Sequence, residues 1–175
     1  MLSQDSITKA WFFASNAHNN QLYPGSNLPY ITHIGNVVLE LSTISLEDKN
    51  LAICCAILHD TIEDTDVTYE DIKKEFGQKV ANGVAALTKN KSLPKSKQMI
   101  DSLERIVKEP KEVWAVKLAD RITNLSSPPS YWSLEKRKNY QKEALLIYEY
   151  LHSSNRALAN RLKEKIENYN KYLKG

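Results

Sequence analysis

Apolar residues recur along most of the chain at spacings of three and four, the period of a helix with one buried face. The pattern predicts a first helix over residues 6–19, with Ile7, Trp11, Ala14 and His18 on one side. A loop follows over 21–29, where Pro24, Gly25, Asn27 and Pro29 cluster. A second helix is expected over 30–44, its buried stripe Tyr30, Ile34, Val37, Leu41 and Ile44. The third starts near Asp48, a suitable N-cap, and is apolar on every side from Leu51 to Leu58, which places it at the centre of a domain. Thr68 followed by Asp71 resembles a capping box for a short helix ending at Phe76-Gly77. Further helices are expected over 78–88, 96–107, 111–125, 133–151 and 155–173, the last two turning Leu145, Tyr148, Leu151, Leu158, Leu162 and Tyr169 inward. Residues 89–97 carry four lysines and a proline and read as a mobile loop. Nothing alternates at period two, so the expected fold is all-α, a single helical bundle over residues 1–175.

Composition agrees with that reading. Five glycines and six prolines in 175 residues are half the usual ~12%, so tight turns are few. The net charge of +3 is too small for a nucleic-acid arm but suits a small anionic ligand. The longest apolar run, 51–58, falls well short of the ~18 residues that cross a bilayer, and no secretory signal is visible. Cys54 and Cys55 are adjacent, and neighbours rarely pair, because a disulfide needs Cα atoms ~4.4–6.8 Å apart in a suitable orientation. They are expected as reduced core residues of a cytoplasmic protein.

The chemistry concentrates where the most apolar helix ends, at Leu58-His59-Asp60-Thr61-Ile62-Glu63-Asp64-Thr65-Asp66. One histidine and four carboxylates stand together, with no Lys or Arg between Asn50 and Ile72 to neutralise them. Negative charge there also opposes the helix dipole, by ~0.3–1 kcal/mol per group. A bound divalent cation relieves both problems. Other donors should then lie elsewhere. His33 shares the stripe of Tyr30 and Val37, and is either a ligand or a hydrogen-bonded core histidine. Asp120 lines up with Val113 and Val116, so it needs a partner, either a cation or Arg121. His18 reads as a core or pocket residue and His152 as surface. Two imidazoles with two carboxylates suit Mn²⁺, Fe²⁺ or Zn²⁺ better than Ca²⁺. Glu63 is i+4 from His59 and Asp64 is i+4 from Asp60, so both reach the same place if the helix runs one turn further.

His33, then His59-Asp60, then Asp120 within KLADRITNL, resembles the H…HD…D pattern of the HD-domain metal-dependent phosphohydrolases. The surrounding text is similar to the hydrolase domain of RelA/SpoT-type enzymes: AH-x-x-Q at 17–21, LPYITH at 28–33, AILHDTIEDTDVT at 56–68, FGQKVANGVAALTK at 76–89 and VKLADRITNL at 116–125. With no synthetase or regulatory text beside it, the chain looks like a free-standing small alarmone hydrolase of the metazoan SpoT-homologue type. The resemblance implies an all-α fold and Mn²⁺-dependent removal of the 3′-pyrophosphate from (p)ppGpp. It puts the metal ligands on His33, His59, Asp60 and Asp120, and the acidic pair that activates water and handles protons on Glu63 and Asp64. It puts nucleotide contacts on Asn124 and Tyr140.

Lys117, Arg121 and Asn124 share a stripe with Asp120, and Lys117, Arg121 and the 89–97 lysines are candidate phosphate clamps. Lys117 reads equally as a solvated lysine, Arg121 as the partner of an acidic loop residue, and 89–97 as a solvated basic turn. One position departs from the family. Two residues after Gln21, where an arginine is usual, stands Tyr23, followed by Pro24. Tyr23 can stack on a purine but brings no charge. The nucleotide is therefore open between a guanine alarmone, an adenine alarmone and the 2′-phosphate of NADPH. The alternative readings are an HD phosphohydrolase acting on a 5′-nucleotide and a silent helical binding module. No nucleic-acid or membrane partner is expected, and the chain reads as a monomer or homodimer.

Overall fold

The computed structural model describes residues 3–174. Among them are ten α-helices: α1 (Gln4–Ala17), α2 (Ile31–Ser42), α3 (Lys49–Leu58), α4 (Thr61–Asp64), α5 (Tyr69–Phe76), α6 (Gln78–Leu87), α7 (Lys95–Ile106), α8 (Lys111–Asn124), α9 (Leu134–Leu151) and α10 (Arg156–Tyr169). A 3-10 turn, Asn170–Tyr172, extends the last. No strand occurs among the described residues; an isolated antiparallel bridge joins Leu22 to Pro29 inside the α1–α2 loop. The fold is all-α, as the periodicity predicts.

Local chemistry explains where the helices start. Asp48 accepts the Leu51 N–H at 3.0 Å, capping α3. Thr68 and Asp71 make the reciprocal pair of bonds of a capping box on α5. Gly77, at φ +88°, ends α5 and begins α6 in one residue, a conformation costing another residue ~1–2 kcal/mol. The expected boundaries shift slightly. Ser3 caps α1 before Ser6, and α10 gives way to the 3-10 turn at Asn170.

The core is built on two helices. Every residue of α3 from Leu51 to Leu58 is buried, and this helix packs against α1, α2, α6 and α8. Helix α8 is buried at all but one position from Glu112 to Ile122 and also touches α2, α9 and α10. Gly83 lets α6 approach closely, since a Cβ there would lie 2.8 Å from Cys55 Sγ and 3.0 Å from Val113 Cγ2. Cys54 and Cys55 are free and buried, and burial pushes the Cys54 thiol up to about 11. One expectation fails. Leu145 is exposed, and α9 turns Ala144, Ile147 and Leu151 inward instead. Tyr148 is half-buried, while Leu158, Leu162 and Tyr169 are buried as expected. No helix among the described residues is long and apolar enough to cross a membrane.

Candidate metal centre

Three helices bring the donors together. His33 lies in the first turn of α2, His59 and Asp60 link α3 to α4, and Asp120 lies in α8. His33, His59 and Asp60 each place one ligand atom within 4.8 Å of the others. His33 Nε2 is 3.4 Å from His59 Nε2. Asp60 Oδ2 is 2.9 Å from His59 Nε2 and 3.7 Å from His33 Nε2. Asp120 Oδ1 completes the group, 3.4 Å from His33 Nε2 and 3.8 Å from His59 Nε2. Both histidines and Asp120 are buried.

The tautomer of His59 decides what the cluster can hold. Its Nδ1 is 2.7 Å from the Ala56 carbonyl, which only accepts, so Nδ1 carries the proton. When the ring is neutral, it therefore presents the Nε2 lone pair to His33, Asp60 and Asp120. Electron-rich atoms this close repel one another unless positive charge sits among them. The electrostatics of the cluster favour positive charge at the same place. Burial works against a charge on His59, yet Asp60 and then Asp120 outweigh it and raise the imidazole well above its usual value. Burial works against the Asp60 carboxylate, but His59 holds it far below the usual range. Asp120 is likewise held down against burial, by Lys117 first and then by the two imidazoles. A mixed N/O set with this appetite for charge fits a divalent cation.

Glu63 and Asp64 stand on the next turn. The chain does continue helically past Asp60, with Asp64 N–H donating to the Asp60 carbonyl at 2.9 Å. Glu63 Oε2 accepts the Lys89 backbone N–H at 2.9 Å, and Lys89 Nζ lies 3.7 Å from Oε1. Lys91 Nζ is bonded to the Glu63 carbonyl and is 4.0 Å from Asp64 Oδ1. The first lysines of the 89–97 segment therefore tie that loop to α4. Burial first, then Asp60 and Glu63, raise the Asp64 carboxyl.

The residues expected around the nucleotide take separate places. Tyr23 lies face to face with the His33 ring, centroids 5.7 Å apart and planes 7° from parallel. Its loop is braced from outside, because Gly25 (φ +78°) sits where a Cβ would be 3.3 Å from Pro129. Lys117 is buried, not solvated, and donates to Asp120 Oδ2 at 3.1 Å. Asn124 Nδ2 donates to Asp120 Oδ1 at 2.5 Å. Lys117, not Arg121, is thus the cation paired with Asp120. Arg121 is buried too, 3.2 Å from Glu143 Oε2 and stacked over Tyr140 at 4.1 Å from the ring centroid. Its partner is a helical residue of α9, not a loop acid. Tyr140 also meets Trp132 edge-on. His152 is exposed, as expected.

One residue, Tyr30, was not read as part of the site, whereas His18 was expected as a core or pocket residue and is buried. Tyr30, assigned only to the apolar stripe, donates its hydroxyl to Asp60 Oδ2 at 2.6 Å. His18 is buried with its ring 4.8 Å from that of Tyr30, and its Nδ1 is 2.7 Å from Gln21 Oε1. The signal for Tyr30 was its position one turn before His33, where a phenol and a carboxylate one helix away can meet.

Comparison with known proteins follows this geometry. The model of the HD domain matches residues 10–162. A zebrafish (Danio rerio) protein, guanosine-3′,5′-bis(diphosphate) 3′-pyrophosphohydrolase MESH1, is 33% identical over 157 residues, covering 87% of each chain. A guanosine-3′,5′-bis(diphosphate) 3′-pyrophosphohydrolase of Aquifex aeolicus is 35% identical over 149 residues; the match takes in 82% of this chain but spans only 20% of that enzyme. A solved structure of a metazoan orthologue of SpoT, described as hydrolysing ppGpp, superposes with a TM-score of 0.84 at 29% identity, covering 96% of this chain and 97% of that one. The chain belongs to the HD-domain family.

Proposed function

We propose that the protein is a metal-dependent hydrolase that removes the 3′-pyrophosphate from guanosine-3′,5′-bis(diphosphate) and related alarmone nucleotides. The observation that carries this reading is the cluster of His33, His59 and Asp60, with Asp120 Oδ1 within 3.8 Å of both imidazoles and Glu63 and Asp64 one helical turn away. Residues 1–175 act as one HD-type unit, as a monomer or homodimer in the cytoplasm; two buried free thiols suit that compartment.

His33, His59, Asp60 and Asp120 hold a single divalent ion, Mn²⁺ in this reading. When bound, the ion supplies Lewis-acid activation of water and of a phosphoryl oxygen. Glu63, fixed in place by the Lys89 N–H and ammonium, orients the attacking water and takes its proton. Asp64 lies where burial and neighbouring carboxylates favour its protonated form, which suits it to give a proton to the departing 3′-oxygen. The bond from that oxygen to phosphorus breaks, leaving a 3′-hydroxyl and free pyrophosphate. Tyr23, Asn124 and Tyr140 contact the nucleotide. Lys117 and Arg121 lend it positive potential from buried positions behind Asp120.

The loop over 21–29 contains no Lys or Arg, so stacking on Tyr23 does most to hold the base, and a purine of either kind can stack. The test is product analysis. Purified protein with Mn²⁺ is incubated with ppGpp, its adenine counterpart, NADPH and deoxynucleoside 5′-phosphates. GDP and pyrophosphate from ppGpp are expected; release of single phosphates alone, from any of these, overturns the reading.

A further inference from the structure

The hydroxyl of Tyr30 is the least explained polar contact in the metal centre. Tyr30 closes the α1–α2 loop, and its ring is wedged between His18 and His33, at 4.8 and 5.4 Å. Only 8% of the residue is exposed, so its hydroxyl has to find a partner inside the protein. That partner is Asp60 Oδ2, the same oxygen that faces both imidazoles. The bond joins the residue before α2 to the α3–α4 link and occupies one lone pair of Oδ2, leaving the other for the imidazole side.

We propose that Tyr30 is a positioning residue for the metal centre. Through Asp60 it fixes which carboxylate oxygen meets the ion and in what direction, and the flanking histidine rings set the angle of the phenol. The inference rests on the four-residue metal site argued above. Hydrogen-bonding partners of metal-ligating groups commonly contribute about 10–100-fold in affinity. A hydroxyl is neutral, so its removal changes orientation without changing the charge of the site.

The experiment compares Mn²⁺ binding to metal-free wild type, Tyr30→Phe and Tyr69→Phe, read by electron paramagnetic resonance titration. Tyr69 is the control for loss of a hydroxyl, since its own bonds Asn82 and Gln78 instead. Circular dichroism checks folding. The expected result is one tight Mn²⁺ per wild-type chain, 10–100-fold weaker binding in Tyr30→Phe, no change in Tyr69→Phe, and an unchanged KM for ppGpp at saturating Mn²⁺. Equal affinity in wild type and Tyr30→Phe overturns the role of Tyr30 and leaves the metal site standing. A fall in kcat at saturating Mn²⁺ with unaltered affinity also overturns it, because the hydroxyl then acts on the reaction. No tight Mn²⁺ in wild type overturns both the metal site and this role.

Discussion

At the scale of residues, the decisive feature is that Asp120 is shared. One oxygen looks toward two imidazoles and Asn124, and the other toward the buried ammonium of Lys117. Removing Asp120 therefore does two things at once. Asp120→Ala should abolish Mn²⁺ binding and turnover, and it should also destabilise the fold by about 3 kcal/mol, because Lys117 is left charged, buried and unpaired. Asp120→Ala combined with Lys117→Met should recover most of that stability and none of the Mn²⁺ binding, as read by urea unfolding and metal titration. Recovery of binding in the double variant would show that Asp120 is no ligand. The sequence showed Asp120, His33 and the His59-Asp60 pair clearly, because each sits at a helical position that apolar neighbours make unusual for it. It did not show which cation Asp120 takes. Lys117 at i−3 and Arg121 at i+1 are both near in sequence, and only packing sends Arg121 to Glu143 and Tyr140. The Tyr30 hydroxyl was hidden for a similar reason, since a tyrosine in an apolar stripe looks like core until its partner on another helix is known.

At the scale of elements, α3 carries His59 and Asp60 at its C-terminal end, so whatever anchors α3 anchors the site. Its first turn is held by Asp48, which accepts from Leu51 and pairs with Lys79 at 2.9 Å. The Lys79 ammonium and the Leu51 N–H together hold the Asp48 carboxyl below its usual range. A carboxyl depressed on folding contributes stability above its unfolded pKa, ~3.9, and that contribution fades as pH falls through the folded value. Asp48→Ala should thus cost about 1 kcal/mol at pH 7. The gap between variant and wild type should narrow below pH ~4, measured by urea unfolding across pH. A gap that widens in acid would contradict the cap. This cap and the Thr68–Asp71 box were legible because capping is local chemistry, carried by a few adjacent residues. The inner face of α9 was not. Leu145 looked like core by its apolarity, but Ala144 is the residue on the stripe of Ile147 and Leu151, and a small side chain there leaves room for neighbouring helices.

At the scale of the whole molecule, the fold joins helices distant in sequence around one charged cluster. Asp60, Glu63, Asp64 and Asp120 stand near Lys89, Lys91 and Lys117. A divalent cation adds two positive charges there, so the site should hold a phosphate-rich ligand more strongly with metal than without. The outline of this arrangement was readable as a helix count and a motif order. Its closure was not, because the core packing depends on close approaches between distant elements, such as Gly83 of α6 against Cys55 of α3 and Val113 of α8. The most direct test is diffraction from crystals grown with Mn²⁺, using anomalous signal at the manganese edge. The account predicts one peak per chain within about 2.0–2.3 Å of His33 Nε2, His59 Nε2, Asp60 Oδ2 and Asp120 Oδ1. A peak elsewhere, or a cluster in which His33 or Asp120 turns away from the other two with no ion among them, would contradict it.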